Sequence, residues 1–239
     1  MKTMMCLILD RSGSMGGRET DVINGVNTLL EEQKKLPEEA SIAFVRFDTE
    51  AVERFRPMGL LAECKPLDKT EYQPRGGTPL LDAVGKTIVD LDEDWKREQP
   101  DRAILVIVTD GEENASREYT KAKVKEMIES RQASGKWAII YLGANVDAFH
   151  EAGSLGISAF NTAGYQNTAR GTKAMYNATS ASLMSMRSTG RMTADNLGGN
   201  IDEDGDVKKA TPKQPTAAPS VPWQAPTGSP SSAVWSPPV

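Results

Sequence analysis

The chain has 239 residues, 38% of them hydrophobic, with a net charge of −5 and two cysteines. That length gives room for one α/β domain of about 190 residues plus a tail, and a domain that size buries roughly 70% of its unfolded surface. The acidic balance, with no basic stripe, argues against a nucleic-acid partner, and no apolar run approaches the length of a membrane-spanning helix.

Residues 4–9 form an apolar run that ends on Asp10, with Ser12 and Ser14 following and Gly13 between them. A strand ending in such a turn aims three oxygen side chains at one point. The apolar start is too short for a secretory signal and lacks a small-residue cleavage site, so a cytoplasmic protein is expected. Cys6 and Cys64 are then expected as free thiols. Val22, Val26, Leu29 and Leu30 recur at helical spacing, with Thr20 or Asp21 as cap and Pro37 as stop. Residues 41–47 and 51–55 read as strands joined by Asp48-Thr49-Glu50, an antiparallel hairpin whose Arg46, Glu53 and Arg54 suit a sheet edge. Residues 58–73 have no period and read as a surface loop.

Pro74-Arg75-Gly76-Gly77-Thr78-Pro79 then leads into a helix, with Thr78 at its N-cap and Leu80, Val84, Ile88, Leu91 and Trp95 on one face. Residues 103–108 are the most apolar stretch, as in a central parallel strand, and they end at Thr109-Asp110-Gly111. Glu112 and Glu113 read as a solvated helix start. Val124, Met127 and Ile128 mark a helix stopped by Gly135. Residues 137–142 read as a buried strand, 148–152 as a short helix carrying the single histidine, His150, and 157–160 as a last weak strand. Residues 174–184 suggest a closing helix that ends before Gly190.

The composition then changes. Asp202, Asp204 and Asp206 faintly resemble a calcium loop, but Gly205 is misplaced and Lys213 stands where a closing glutamate is needed. Residues 207–239 hold eight of the 14 prolines. The expected division is a folded unit over 1–190, with its core in 1–164 plus the closing helix, and an acidic then Pro-rich tail over 191–239. Trp223 and Trp235 sit in that tail without a core and are candidate partner anchors.

Strands alternating with helices predict an α/β fold: a doubly wound, mostly parallel sheet with helices on both faces. Ligands in such sheets sit outside the carboxyl ends of the strands, where the strand order reverses. If the first strand and the 103–108 strand flank that reversal, Asp10 and Asp110 end side by side. Thr78 would reach them from a third loop.

Asp10-Arg11-Ser12-Gly13-Ser14, with Thr78 and Thr109-Asp110-Gly111, resembles a von Willebrand factor type A (vWA) domain with an intact metal-ion-dependent adhesion site. The resemblance covers residues 1–164 and the following helix, and the compact layout is similar to stand-alone vWA domains of bacteria and phages. It implies a Rossmann-like vWA fold in which Ser12 and Ser14 ligate Mg²⁺ or Mn²⁺ directly. Asp10 and Asp110 hold the cation directly or through water, and Thr78 joins when a ligand binds. It also implies an open position for a partner's carboxylate. Arg11, Gly77 and Glu112, beside these ligands, are candidate partner contacts.

The expected function is divalent-cation-dependent protein binding; the alternatives are a phage or virion assembly component that docks through the domain and its tail, and a metal-dependent phosphatase-like hydrolase. The partner offers a carboxylate and is an AAA+ ATPase or a virion component, in the cytoplasm or a virion. A phosphatase of the haloacid dehalogenase type would show Asp-x-Asp at the first turn. Here the second acid is Ser12, and no Ser-His-Asp or Cys-His arrangement is evident, so no enzyme is expected.

Overall fold

The computed structural model describes residues 1–144, 147–190 and 197–209. In chain order they form β1 (Thr3–Asp10), α1 (Glu19–Lys34), β2 (Ala40–Phe47), β3 (Val52–Leu60), α2 (Leu80–Glu98), β4 (Arg102–Thr109) and α3 (Lys121–Ala133). There follow β5 (Trp137–Ala144), α4 (Ala148–Ser154), β6 (Thr162–Tyr165), α5 (Ala169–Thr189), β7 (Gly199–Ile201) and β8 (Val207–Lys209). The strands make one sheet in the order β3-β2-β1-β4-β5-β6-β7-β8. Pairing is parallel from β2 through to β7, and each edge is an antiparallel pair.

The continuous apolar runs of β1, β4 and β5 exist because both faces of the sheet are covered. Alternate residues feed two cores. Met5, Leu7 and Leu9 pack with Val106, Val108, α1 and α5 on one face. Met4, Cys6 and Ile8 pack with Leu105, Ile107, α2, α3 and α4 on the other. Strand order reverses between β1 and β4, so Asp10 and Thr109 end adjacent strands at the same edge. The doubly wound architecture and the edge hairpin stand as expected, and α5 stops at Gly190, whose φ of +79° closes it.

Several local expectations are corrected. β3 continues to Leu60 and takes the first part of the expected 58–73 loop. Its two register shifts against β2, and Pro57, break the alternation that would have revealed it. The last weak strand is not at 157–160. Residues Ala159–Asn161 form a 3₁₀ turn with Phe160 67% exposed, and β6 follows. Helix α1 begins before Thr20, with Arg18 at its N-cap and no side-chain cap. Pro79, not Thr78, occupies the N-cap of α2. β7 and β8 extend the sheet beyond residue 190, where the tail was expected to start. Asp202 makes their turn rather than a calcium loop: its Oδ1 accepts from the Asp204 and Asp206 amides, and Lys208 neutralises it from 3.2 Å. Cys6 and Cys64 are free, and His150 lies exposed on α4.

The contact between α1 and α5 depends on one missing side chain. A Cβ at Gly25 would lie 2.0 Å from Cδ2 of Tyr176. Alanine in mid-helix ordinarily gains about 1 kcal/mol over glycine. Here overpacking costs about 1–3 kcal/mol and outweighs that gain. Gly25→Ala is therefore expected to lower the midpoint of thermal unfolding. An unchanged or raised midpoint would show that Tyr176 yields freely.

Candidate metal centre

Five oxygen-bearing side chains from three loops meet at the β1/β4 edge. The β1 turn supplies Asp10, Ser12 and Ser14. Asp10 is fully buried, and its position is fixed twice: Oδ1 accepts from the Ser12 amide at 2.7 Å, and Oδ2 accepts from the Thr109 hydroxyl at 2.6 Å. The Ser12 and Ser14 hydroxyls are 2.9 Å apart, and Ser14 donates to Asp110 Oδ1 at 2.6 Å. The other oxygen of Asp110 accepts from Asn167 Nδ2 at 3.2 Å, in the loop between β6 and α5.

Thr78 reaches the cluster from the loop before α2 and is buried. A Cβ at Gly111 would stand 2.8 Å from Thr78 Oγ1 and 3.6 Å from Ser14 Oγ, so both hydroxyls border that glycine and a side chain there would push them away. Thr78 and Asn114 hold one another: the Thr78 amide donates to Asn114 Oδ1 at 2.9 Å, and the Asn114 amide donates to the Thr78 carbonyl at 3.2 Å.

The loop after Asp110 is not a solvated helix start. Glu113 is an acceptor for the open end of α2, taking the Leu81 amide at 2.8 Å, while its other oxygen takes the Ala115 and Ser116 amides. Asp82 returns the tie by accepting from the amides of Arg117, Glu118 and Tyr119 at 2.8–2.9 Å. This lattice fixes Thr78 relative to Asp110.

Electrostatically the cluster is a desolvated acidic pocket. Burial pushes the Asp10 carboxyl up to about 6, against the pull of Thr109 and Ser12. Burial also raises Asp110, with Ser14 and Asn167 opposing it.

The donor set fits a small hard cation. It consists of carboxylate and hydroxyl oxygens, the ligands that Mg²⁺ and Mn²⁺ prefer. Neighbouring oxygens around an octahedral ion of that size stand about 3 Å apart. The separations of 2.9 and 2.6 Å along Ser12, Ser14 and Asp110 are close to that spacing. Among the described residues no three His, Cys, Asp or Glu side chains gather as metal ligands. The two carboxylates need the three hydroxyls to complete a site.

Of the candidate partner contacts, Arg11 is corrected. Its guanidinium is buried against Asp48, with Nε at 2.7 Å and Nη2 at 2.5 Å from Oδ2, so it serves the fold. Gly77 is half-buried, its amide donates to Thr49 Oγ1 at 3.2 Å, and a Cβ there would lie 2.8 Å from Asn114 Oδ1. Glu112 is exposed. Trp223 and Trp235 lie outside the described residues. Thr109, Asn114 and Asn167 escaped the sequence reading as site residues. Thr109 stood inside the quoted motif, whereas nothing local marks Asn114 or Asn167.

No family model and no curated protein matches the chain. Solved structures do share its fold. The pilus adhesin SpaC from Lactobacillus rhamnosus GG, in an open conformation, aligns over 77% of this chain with a TM-score of 0.58 and 13% identity. This chain spans only 30% of that adhesin's length. The SpRpn10 VWA domain aligns over 74% of this chain and 94% of its own, with a TM-score of 0.51 and 11% identity. Manganese-loaded TRAP from Plasmodium vivax aligns over 75% of this chain and 71% of its own, with a TM-score of 0.51 and 16% identity. The fold is that of vWA domains. Among the described residues no helix is long and apolar enough to cross a membrane.

Proposed function

We propose that this chain binds a protein partner through a divalent cation, Mg²⁺ or Mn²⁺, held by Asp10, Ser12, Ser14, Thr78 and Asp110. The observation that carries this reading is the run of close oxygens from Ser12 through Ser14 to Asp110, with Thr78 beside it across Gly111. With two carboxylates and three neutral hydroxyls as ligands, a bound cation stays electrophilic and supplies a charge-assisted anchor for an incoming carboxylate. The chain's own part is to fix the oxygens. Thr109 and the Ser12 amide orient Asp10, Asn167 orients Asp110, and Asn114 holds the Thr78 backbone.

The manganese loaded into TRAP and the adhesive role named for SpaC support the reading by analogy of fold. The partners put forward are an AAA+ ATPase and a virion protein, with a cytoplasmic or virion setting. Binding is preferred to hydrolysis because both Asp10 oxygens already accept hydrogen bonds and Asp10 has no exposed surface for attack on a substrate.

Thermal melts test the reading directly. At about 100 times its dissociation constant the cation adds roughly 2.7 kcal/mol, which is about 5–10 °C for a chain of this size. That shift is expected in the parent and not in Ser12→Ala/Ser14→Ala. Equal melts of the parent in EDTA and in millimolar Mg²⁺ or Mn²⁺ would end the metal hypothesis. Turnover of a phosphomonoester, abolished in Asp10→Asn, would replace it with an enzyme.

A further inference from the structure

The loop before α5 is tied to the candidate metal centre through Asn167, and the start of α1 is tied to that loop. Arg18, the residue before α1, donates from Nη2 to the Asn167 carbonyl, and Asn167 lies just before α5 and holds Asp110. From that junction a groove of about 390 Å³ runs between the two helices, bordered by Asn24, Gly25 and Thr28 on α1 and by Tyr176 and Asn177 on α5. The Tyr176 ring packs against Gly25.

One rim of this groove is positively charged. Arg170 and Lys173 stand exposed on it, one turn apart, and neither has an ion pair among the described residues. The 21 residues of α5 contain no Asp or Glu, in a chain whose net charge is −5. Two acids close to the rim are engaged elsewhere: Asp21 faces Arg18 at 3.6 Å, and Glu203 accepts from Thr168 at 2.7 Å. Arg170 and Lys173 also border a second pocket, toward β7 and β8, which Glu203 and Asp204 line with them, and neither acid pairs with either cation.

We propose that the Arg170–Lys173 rim is a second anchor for the partner, which presents an extended acidic peptide. One carboxylate of that peptide occupies the metal centre, and a later one meets the rim as the segment follows the α1–α5 groove. The inference rests on the metal-dependent reading above and adds the class of partner. Charge complementarity selects the peptide, because exposed cations with no ion pair among the described residues, beside a site proposed to take a carboxylate, favour a second acid of the same ligand. Rim contacts of this kind are screened by salt, so the added affinity falls as ionic strength rises.

The test uses the full chain and two fluorescein-labelled Gly/Ser peptides, one with a single aspartate and one with that aspartate followed by three glutamates. Binding is read by fluorescence anisotropy in Mg²⁺ and in EDTA. The multi-acid peptide is expected to bind roughly tenfold tighter than the single-acid one, as steering and pairing at a charged rim allow. Arg170→Glu/Lys173→Glu is expected to remove that advantage and leave both the single-acid affinity and the Mg²⁺ melting shift unchanged. An advantage that survives the double reversal, or no advantage in the parent, overturns the second anchor. Binding that ignores EDTA but still responds to the reversal supports the second anchor and overturns the metal reading instead.

Discussion

Asp48→Ala is expected to destabilise the protein by about 3–5 kcal/mol, the usual result of stranding a buried charge. Asp48 lies in the turn between β2 and β3, and its side chain has no exposed surface. One oxygen takes Arg11 from the β1 turn and Arg75 Nε at 3.0 Å from the loop before α2. The other accepts from the Glu50 and Ala51 amides. The backbone repeats the connection: the Arg75 amide donates to the Arg11 carbonyl and the Gly13 amide to the Gly76 carbonyl. One carboxylate thus ties together two of the loops that carry candidate ligands.

Burial alone would raise Asp48. The hydrogen bonds from Arg75 and the Glu50 amide, with the charge of Arg11, outweigh it and hold the carboxyl below its ordinary range. An acid depressed in the folded state contributes fully above its unfolded value, near pH 4, and the contribution is lost as pH falls through the folded value. Urea unfolding at neutral pH checks the size of the loss. Asp48→Ala/Arg11→Met should recover part of it, because the second change removes the stranded charge. A loss under about 1 kcal/mol in Asp48→Ala would mean that solvent reaches Arg11. Arg11 therefore belongs with the fold, although its place between two candidate ligands made it look like a partner contact.

That contrast shows what the sequence carries and what it hides. The sheet was legible because β1, β4 and β5 are buried on both faces and read as unbroken apolar runs. The meeting of the five oxygen side chains was legible because each follows directly on a strand end or lies just before a helix, so topology alone brings them together. Asp48 was not, because a short polar turn between edge strands reads the same whether its acid faces water or two guanidinium groups. Asn167 and Glu113 were hidden for a similar reason: they act across 57 and 32 residues of chain, onto Asp110 and Leu81. β3 was cut short because its bulges interrupt the period-two pattern on which strand recognition depends.

In EDTA, Asp10→Asn is expected to be more stable than the parent while losing its response to cations. Ionised Asp10 is held in a buried pocket beside a second carboxylate, and burial lifts it to about 6. An acid raised in the folded state favours folding only while protonated. Stability is therefore full below the unfolded value and falls as pH rises from about 4 to about 6, with a constant cost above that. Lifting a carboxyl from about 4 to about 6 costs roughly 3 kcal/mol once it is ionised.

Asparagine removes the charge and keeps the contacts. Its carbonyl accepts from the Ser12 amide, and its amide donates to Thr109 Oγ1, whose hydroxyl turns to the Gly111 carbonyl already 3.1 Å away. Denaturant melts in EDTA from pH 4 to 8 should show the parent losing more stability than the variant across pH 4–6, the other acids titrating in both, with the variant ahead by up to about 3 kcal/mol at pH 7.5. A parent more stable than Asp10→Asn at pH 7.5 in EDTA would mean that Asp10 serves the fold and that no strain is stored in the pocket. The expected order has a direct reading: residues kept at the expense of stability mark a site built for a ligand, and a buried carboxylate of this kind is what the proposed cation would relieve.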